Sequence, residues 1–223
     1  SDSELVRRAS SKRYWCNLLQ QHGLLTPRLI AAYDAHATLT VYDRRMRDGV
    51  RKPDRSMYGI GVERQTLKVF LENPVANDIL QEEIISNDQQ PGRSYRICTF
   101  RGKRHGVRVI SVFVSTLREG AAIHPAVWNR LVRSGRRALC RIHDTCFPTA
   151  PLIGWDVMVT ASGQVVVLEG NLGGSVGVHL APFVASIGCV NSHTAASWVD
   201  ELRSSHRHGF YTEREYNSPS TPL

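Results

Sequence analysis

The chain has 223 residues, of which 42% are hydrophobic and 22% are charged, so it is long enough to bury a core as one domain or as two small lobes. No apolar run approaches the ~20 residues of a membrane-spanning helix, and the five scattered cysteines lack the spacing of a zinc site or a disulfide scaffold. We therefore expect no membrane span, reduced thiols and a cytoplasmic location. The formal charge of +8 suits a polyanionic partner but does not identify one.

Helices are predicted at the start of the chain. The first forty residues place apolar side chains, such as Trp15 and Leu19, at helical spacing, and Gly23 offers a stop. Residues 27–42 are rich in Ala and Leu, and they could form a second helix or a junction between a strand and a helix. A further amphipathic stretch at 65–71 is ended by an Asn-Pro pair.

Two β-hairpins are predicted in the second half of the chain. The first joins SYRICTF (94–100) to GVRVISVFV (106–114) through a charged turn, and the second joins LIGWDVMVT (152–160) to QVVVLEGN (164–171). Between the hairpins, residues 126–142 place one apolar stripe among arginines, which predicts a single helix. The polar residues from about 191 onward predict a tail.

The second hairpin brings oxygen-bearing side chains together. Glu169 and Asn171 are two residues apart, so on a strand they point to the same side. If the turn spans 161–164, Thr160 pairs with Val165 and Asp156 lies opposite Glu169. A three-residue loop would instead shift the pairing by one position, and the acids could then face opposite sides.

In the first register, the cluster of Asp156, Glu169 and Asn171 predicts a magnesium site. Two carboxylates held close together in a partly buried place repel each other, so they call for a cation. Mg²⁺ prefers a few protein oxygens and completes its shell with water and phosphate oxygens. The alternative is a polar strand end whose side chains merely face water before a glycine-rich turn.

The stretch GWDVMVTASGQVVVLEGN resembles the end of an ATP-grasp domain, and specifically that of the sugar-transfer-associated ATP-grasp group. The acid, the tryptophan, the turn and the Glu-x-Asn occur together at the separation found in that group. The resemblance covers roughly residues 20–185 and implies an α+β fold, in which two lobes built on antiparallel sheets hold ATP between them. It also implies Mg²⁺ at Asp156, Glu169 and Asn171.

Other residues of this sequence match the family's functional positions. The resemblance implies that Lys52 binds phosphate and takes part in catalysis, that Gly59 and Gly61 belong to a flexible loop over the triphosphate, and that Arg96 stabilises the phosphate or an acyl-phosphate intermediate. The resemblance also implies a hinge between the two lobes, where Gln81, Glu82, Glu83 and Ile84 hold the adenine edge. Glu82 and Glu83 are adjacent, so they cannot both face inward.

The resemblance also implies a division of the chain. Residues 1–45 form a helical N-terminal segment, 46–80 the small lobe with the lysine strand and glycine loop, 81–190 the large lobe with the metal site, and 191–223 a polar tail. Two departures from the family pattern stand out. Ser56-Met57-Tyr58 replaces the usual small residues at the opening of the loop, and the span from Phe113 to His124 is shorter than in the family.

The function implied is that of an ATP- and Mg²⁺-dependent ligase. It would join a small-molecule carboxylate to an amine or another nucleophile through an acyl phosphate, in cell-surface sugar or polysaccharide biosynthesis. Two alternatives stay open: a basic nucleic-acid-binding module, which the few aromatic residues disfavour, and a degenerate ATP-grasp domain that no longer ligates. The sequence does not identify the oligomeric state or the individual substrates.

Overall fold

A computed structural model of the protein describes residues 2–55, 61–86, 94–103, 106–114, 125–131 and 133–172. None of the helices in these ranges is long and apolar enough to span a membrane. The helices are α1 (Asp2–Ala9), α2 (Lys12–Gln21), α3 (Leu67–Glu72), α4 (Pro125–Arg130) and α5 (Arg133–Cys146); the strands are β1 (Leu29–Tyr33), β2 (Leu39–Val41), β3 (Asp48–Pro53), β4 (Glu63–Thr66), β5 (Asp78–Gln81), β6 (Tyr95–Gly102), β7 (Gly106–Val114), β8 (Leu152–Val159) and β9 (Val165–Leu172).

Within the described ranges, the strands form two antiparallel sheets. The small sheet has the order β2-β1-β5-β3-β4, and the large sheet has the order β7-β6-β8-β9. Helix α3 follows β4 directly, α2 packs against β9, and α5 packs against β6 and β7. The predicted α+β class is therefore confirmed, and both predicted hairpins are present as β6–β7 and β8–β9.

The helical interpretation of the first forty residues is wrong beyond α2. Residues 29–33 and 39–41 are the strands β1 and β2 of the small sheet, which therefore draws on residues from 29 to 81. Ile30 and Ala31 are fully buried in a cluster with Phe70 and Leu80. Burial against these nonlocal partners overrides the helical propensity of Ala and Leu.

The predicted helix at 126–142 is also wrong in its continuity, because it is divided between α4 and α5. The Arg136 guanidinium, on α5, donates hydrogen bonds to the carbonyl oxygens of Leu131 at 2.7 Å and Asn129 at 3.0 Å. These carbonyls belong to the end of α4, where the last turn of a helix lacks backbone partners. Arg136 thereby stabilises the end of α4 within residues 126–142, for which the apolar stripe predicted one continuous helix.

The main core lies between α2 and the large sheet. Ser11 caps α2 by accepting a hydrogen bond from the Tyr14 amide at 3.1 Å. Trp15 then packs edge-on against Trp155 of β8, with ring centroids 5.6 Å apart. A methyl group on Gly170 of β9 would lie 2.7 Å from the Trp15 ring. Glycine between Glu169 and Asn171 thus lets α2 approach the strand that carries both polar side chains.

A buried polar network ties the large sheet to α5. The Trp155 indole donates to the Thr99 hydroxyl at 2.8 Å, and the His143 ring contacts the same hydroxyl through Nδ1 at 2.8 Å. The His143 Nε2 lies 2.8 Å from the Ala150 carbonyl, which can only accept. His143 is therefore neutral with its proton on Nε2, and Thr99 donates to Nδ1. Burial lowers the pKa of His143 to about 4.

This network predicts acid sensitivity of the fold. Because the pKa of His143 is lowered from its ordinary value to about 4, the unfolded chain takes up a proton before the folded chain does. Stability contributed by the neutral ring is complete above pH ~6.5 and is lost as the pH falls toward 4, by up to about 3 kcal/mol. Urea unfolding between pH 7 and pH 4 gives the free energy of unfolding at each pH and so measures this loss. In a His143→Asn variant, this free energy should fall less steeply with decreasing pH. Equal slopes would contradict the assignment.

Candidate active site

A row of charged side chains crosses the large sheet. Arg96 of β6 pairs directly with Asp156 of β8, and Asp156 pairs on its other side with Glu169 of β9. Directly paired residues project to the same face of a sheet, so the three side chains stand side by side. The opposite face, carrying Trp155 and Val157, belongs to the core. The predicted juxtaposition of Asp156 and Glu169 is therefore confirmed.

The connection between β8 and β9 differs from the predicted turn. Val165 pairs with Val159 and not with Thr160, so the connection is one residue longer at that end than expected. The pairing then shifts by one between Val157 and Asp156, which leaves Leu168 as an extra residue in β9. The bulge restores the register of Asp156 with Glu169. The bulge changes the direction of the side chains at the end of β9, while the valines of its first half stay in the core.

Arg96 and Asp156 form a two-pronged ion pair. The Arg96 Nε lies 2.8 Å from Oδ1 of Asp156, and its Nη2 lies 3.0 Å from Oδ2. Asn171 donates from Nδ2 to the same Oδ2 at 3.0 Å. Although burial acts against the charged guanidinium, Asp156 raises the pKa of Arg96. Both groups therefore remain charged, and Asp156 receives hydrogen bonds on both oxygens.

Lys12 is a residue of this charged cluster that sequence reasoning missed. It is the first residue of α2, it is 8% exposed, and its Nζ lies 3.9 Å from Oε2 of Glu169. A buried lysine is rare unless an anion accompanies it. A lysine at a helix start looks like any surface base in the sequence, and the buried contact arises only from the packing of α2 on β9.

Asp54 is a second missed residue, and it joins the two sheets through α2. It is 6% exposed, and its carboxylate accepts hydrogen bonds from the Ser11 hydroxyl and the Arg13 amide, both at 2.8 Å. Its backbone oxygen accepts from the Lys12 amide at 3.0 Å. Since Asp54 directly follows β3, it fixes the start of α2 next to the strand that carries Lys52.

Lys52 and Glu169 influence each other across the space between the sheets. Burial lowers the pKa of Lys52, and the negative charge of Glu169 opposes that shift. Burial raises the pKa of Glu169, while Lys12, Lys52 and Arg96 oppose the rise. The two sheets thus meet at a cluster of three cations and two carboxylates. Perturbed groups that cluster in this way are typical of functional sites.

The hinge residues lie at the end of β5 and just after it. Gln81 is 2% exposed, and its amide nitrogen donates to the Cys16 sulfur at 2.7 Å. Glu82 pairs with Arg28 at 3.2 Å, and Glu83 accepts from Arg64 at 2.7 Å. Both acids therefore carry ion pairs at the surface, while Ile84 is half-buried. Their role in holding an adenine ring stays a prediction.

The glycine loop is only partly described. Gly61 lies at the start of the segment leading to β4 and has φ +73, a left-handed conformation that favours glycine. A side chain there would also contact the ring of Pro53 at 3.1 Å. Gly59, His124 and the residues from 173 onward, including the predicted tail, lie outside the described residues.

The residues of the cluster that could hold magnesium are its two carboxylates and the neighbouring amide. In the described part of the chain, no group of three or more His, Cys, Asp and Glu side chains is arranged for a metal ion, so a magnesium site here would depend on two acids and an amide. The ion pair between Glu169 and Lys12 is long, at 3.9 Å. Asn171 donates to Asp156 from its amide nitrogen, so this bond does not involve its amide oxygen. Oxygens of Glu169 and Asn171 fit the ion, whereas Asp156 would have to share it with Arg96.

Comparison with solved structures shows which fold brings these residues together. The chain is similar to N5-carboxyaminoimidazole ribonucleotide synthetase from Thermotoga maritima, at 14% identity and TM-score 0.52, over 76% of this chain and 43% of that one. It is similar to L-amino acid ligase from Bacillus licheniformis, at 19% identity and TM-score 0.51, over 79% and 44%. It is also similar to the ATP-grasp ligase PsnB, complexed with precursor peptide PsnA2 and AMPPNP, at 18% identity and TM-score 0.51, over 80% and 54%.

These similarities show that the chain has the ATP-grasp fold, as the resemblance of its sequence implied. The chain spans about half the length of the structures it matches. Neither a protein-family model nor a curated protein sequence matches it. The finer resemblance to the sugar-transfer-associated group stays a prediction, and a shared fold alone does not establish an activity.

Proposed function

We propose that this protein is an ATP- and Mg²⁺-dependent ligase that joins a carboxylate to an amine or another nucleophile. The observation that carries the proposal is the meeting of Lys12, Lys52 and Arg96 with Asp156 and Glu169 between the two sheets. Lys12, Lys52 and Arg96 together offer contacts for an anionic ligand such as a triphosphate. The finer proposal, from the resemblance, is that the substrates belong to cell-surface sugar or polysaccharide biosynthesis.

Each side chain has a distinct part in this proposal. Lys52 and Lys12 approach from β3 and α2 and would bind phosphate oxygens, so that the transferred group is held in line with the attacking carboxylate. Arg96 is fixed by its two bonds to Asp156 and would stabilise negative charge as it develops. A rigid guanidinium needs no reorganisation during the reaction, which is the condition under which such stabilisation is effective.

Magnesium, when bound, would neutralise phosphate charge and polarise the transferred group. Glu169 and Asn171 would hold it, with Asp156 shared between the ion and Arg96. The half-buried Glu169 has a raised pKa because burial disfavours its charge, and a cation beside it favours the ionised form. In the proposed reaction, the substrate carboxylate attacks the γ-phosphorus of ATP and releases ADP. The nucleophile then attacks the acyl carbon of the acyl phosphate and releases inorganic phosphate.

Thermal stability with the non-hydrolysable analogue AMPPNP, with and without Mg²⁺, tests the proposal. A ligand at a hundred times its Kd stabilises the fold by about 2.7 kcal/mol, which raises Tm by roughly 5–10 °C in a protein of this size. We expect the full shift only when both are present. A Lys52→Met variant should lose it, whereas Lys68→Met, at an 82% exposed lysine on α3, should keep it.

The possible failures have different meanings. No shift with AMPPNP and Mg²⁺ together would contradict the nucleotide site. An equal shift without Mg²⁺ would contradict the metal assignment but leave the nucleotide site standing. A full shift without any ATP turnover in the presence of candidate carboxylates and amines would favour a domain that binds nucleotide but no longer ligates.

A further inference from the structure

A second concentration of positive charge lies outside the cluster between the sheets. It lines a concavity of about 410 Å³ formed by α1, the start of α2, the residue after β2 and the residue after Asp54. Four arginines and two tyrosines converge on it: Arg7, Arg8, Arg13, Arg55, Tyr14 and Tyr42. A volume of this kind is within the range of small-ligand sites.

The acids near this concavity do not balance its arginines. Glu4 accepts hydrogen bonds from both Arg7 and Arg8 at 2.9 Å. Asp34 is close enough to Arg13 that the arginine contributes to lowering the pKa of this acid, after the Thr38 amide, which has the largest effect. Four guanidinium groups against these two carboxylates leave two positive charges.

Asp54 lies behind the concavity and offsets this excess only in part. Its carboxylate accepts hydrogen bonds from the Ser11 hydroxyl and the Arg13 amide, and its charge also acts on the buried Lys52. In the described part of the chain, neither Arg13 nor Arg55 has a carboxylate within ion-pair distance of its guanidinium. Arg13 is nevertheless half-buried, which is a costly position for a charge without an anion beside it.

We propose that this concavity, which we call the arginine pocket, binds a small ligand that carries a phosphate or pyrophosphate group. A phosphate group supplies up to two negative charges and three acceptor oxygens, which suit an excess of positive charge and the planar forks of several arginines. A carboxylate offers only one charge and two oxygens. The exposed phenol of Tyr42 and the edge of Tyr14 would supply further donors and an aromatic wall.

The arginine pocket is separate from the cluster between the sheets but shares a segment with it. Lys12 points to Glu169, whereas Arg13, the next residue, lines the pocket. Likewise, Asp54 follows the strand of Lys52, and Arg55 lines the pocket. The Ser11–Asp54 hydrogen bond joins the two segments that contribute to both sites. The proposal stands or falls independently of the ligase activity.

The test is isothermal titration calorimetry with inorganic pyrophosphate, without nucleotide. The double variant Arg13→Gln/Arg55→Gln should bind pyrophosphate at least about tenfold more weakly, since two charge-assisted contacts are lost. The matched control Arg133→Gln/Arg137→Gln, at two exposed arginines of α5, should bind like the unchanged protein. Lys52→Met removes a phosphate contact of the cluster between the sheets, so the pyrophosphate binding that remains in this variant reports the arginine pocket.

Three results would overturn the proposal. The first is the absence of pyrophosphate binding, and the second is an equal loss in the control pair. The third is a loss in Lys52→Met as large as that in Arg13→Gln/Arg55→Gln, because the ligand would then sit in the cluster. A single-stranded oligonucleotide of about 12 nucleotides forms a parallel arm. If it binds through Arg13 and Arg55 while pyrophosphate does not, the surface serves nucleic acid and the small-ligand site is refuted.

Discussion

Replacement of Glu169 by glutamine is expected to reduce Mg²⁺-dependent ATP turnover by at least about 100-fold, because a charge that holds the metal and phosphates in place is removed. The loss of stability should be limited. Burial already raises the pKa of this carboxyl and glutamine keeps its shape, although the buried Lys12 loses the carboxylate beside it. The assay is release of ADP or phosphate, measured alongside the Tm of the same protein.

A matched control is available in Glu72→Gln, which removes a carboxylate paired with an 82% exposed lysine on α3. Turnover should stay within about twofold of the unchanged protein, because exposed ion pairs contribute little. Unchanged turnover in the Glu169 variant would remove this residue from the metal site. Loss of turnover together with a large drop in Tm would assign Glu169 a structural role instead.

Replacement of Arg96 by glutamine is expected to destabilise the fold by about 3 kcal/mol, in addition to impairing activity. The side chains of Arg96 and Asp156 are only 7% and 17% exposed, so removal of the cation leaves a poorly solvated carboxylate beside Glu169. Breaking a buried pair from one side is costly for this reason. Urea unfolding at pH 7 gives the change in free energy of unfolding.

Two further variants show whether the pairing itself causes the loss. The double variant Arg96→Gln/Asp156→Asn removes the unpaired charge as well, so it should recover much of the stability. Arg64→Gln, which breaks a surface pair at an 80% exposed arginine, should cost less than about 1 kcal/mol. If Arg96→Gln is no more costly than Arg64→Gln, Asp156 is not held as a buried ion-pair partner.

The sequence by itself determined the local features of the site. Along β8, Asp156 alternates with Trp155 and Val157, which lie in the core, and this period of two is already present in the sequence. The same alternation placed Glu169 and Asn171 on one face. Hairpins could be predicted because their partner strands are adjacent in the chain, so turn residues and apolar patterns carry the information.

The tertiary structure alone decided which groups accompany these acids. Arg96 faces Asp156 because β6 pairs with β8 across a long intervening segment, and Lys12 reaches Glu169 because α2 packs on the glycine of β9. Nonlocal packing also made strands of an alanine-rich segment predicted as helical. Sequence periodicity specifies the face on which a side chain lies. Its partners come from segments that are distant in the chain and reach that face only when the protein folds. These partners set the charge of the site.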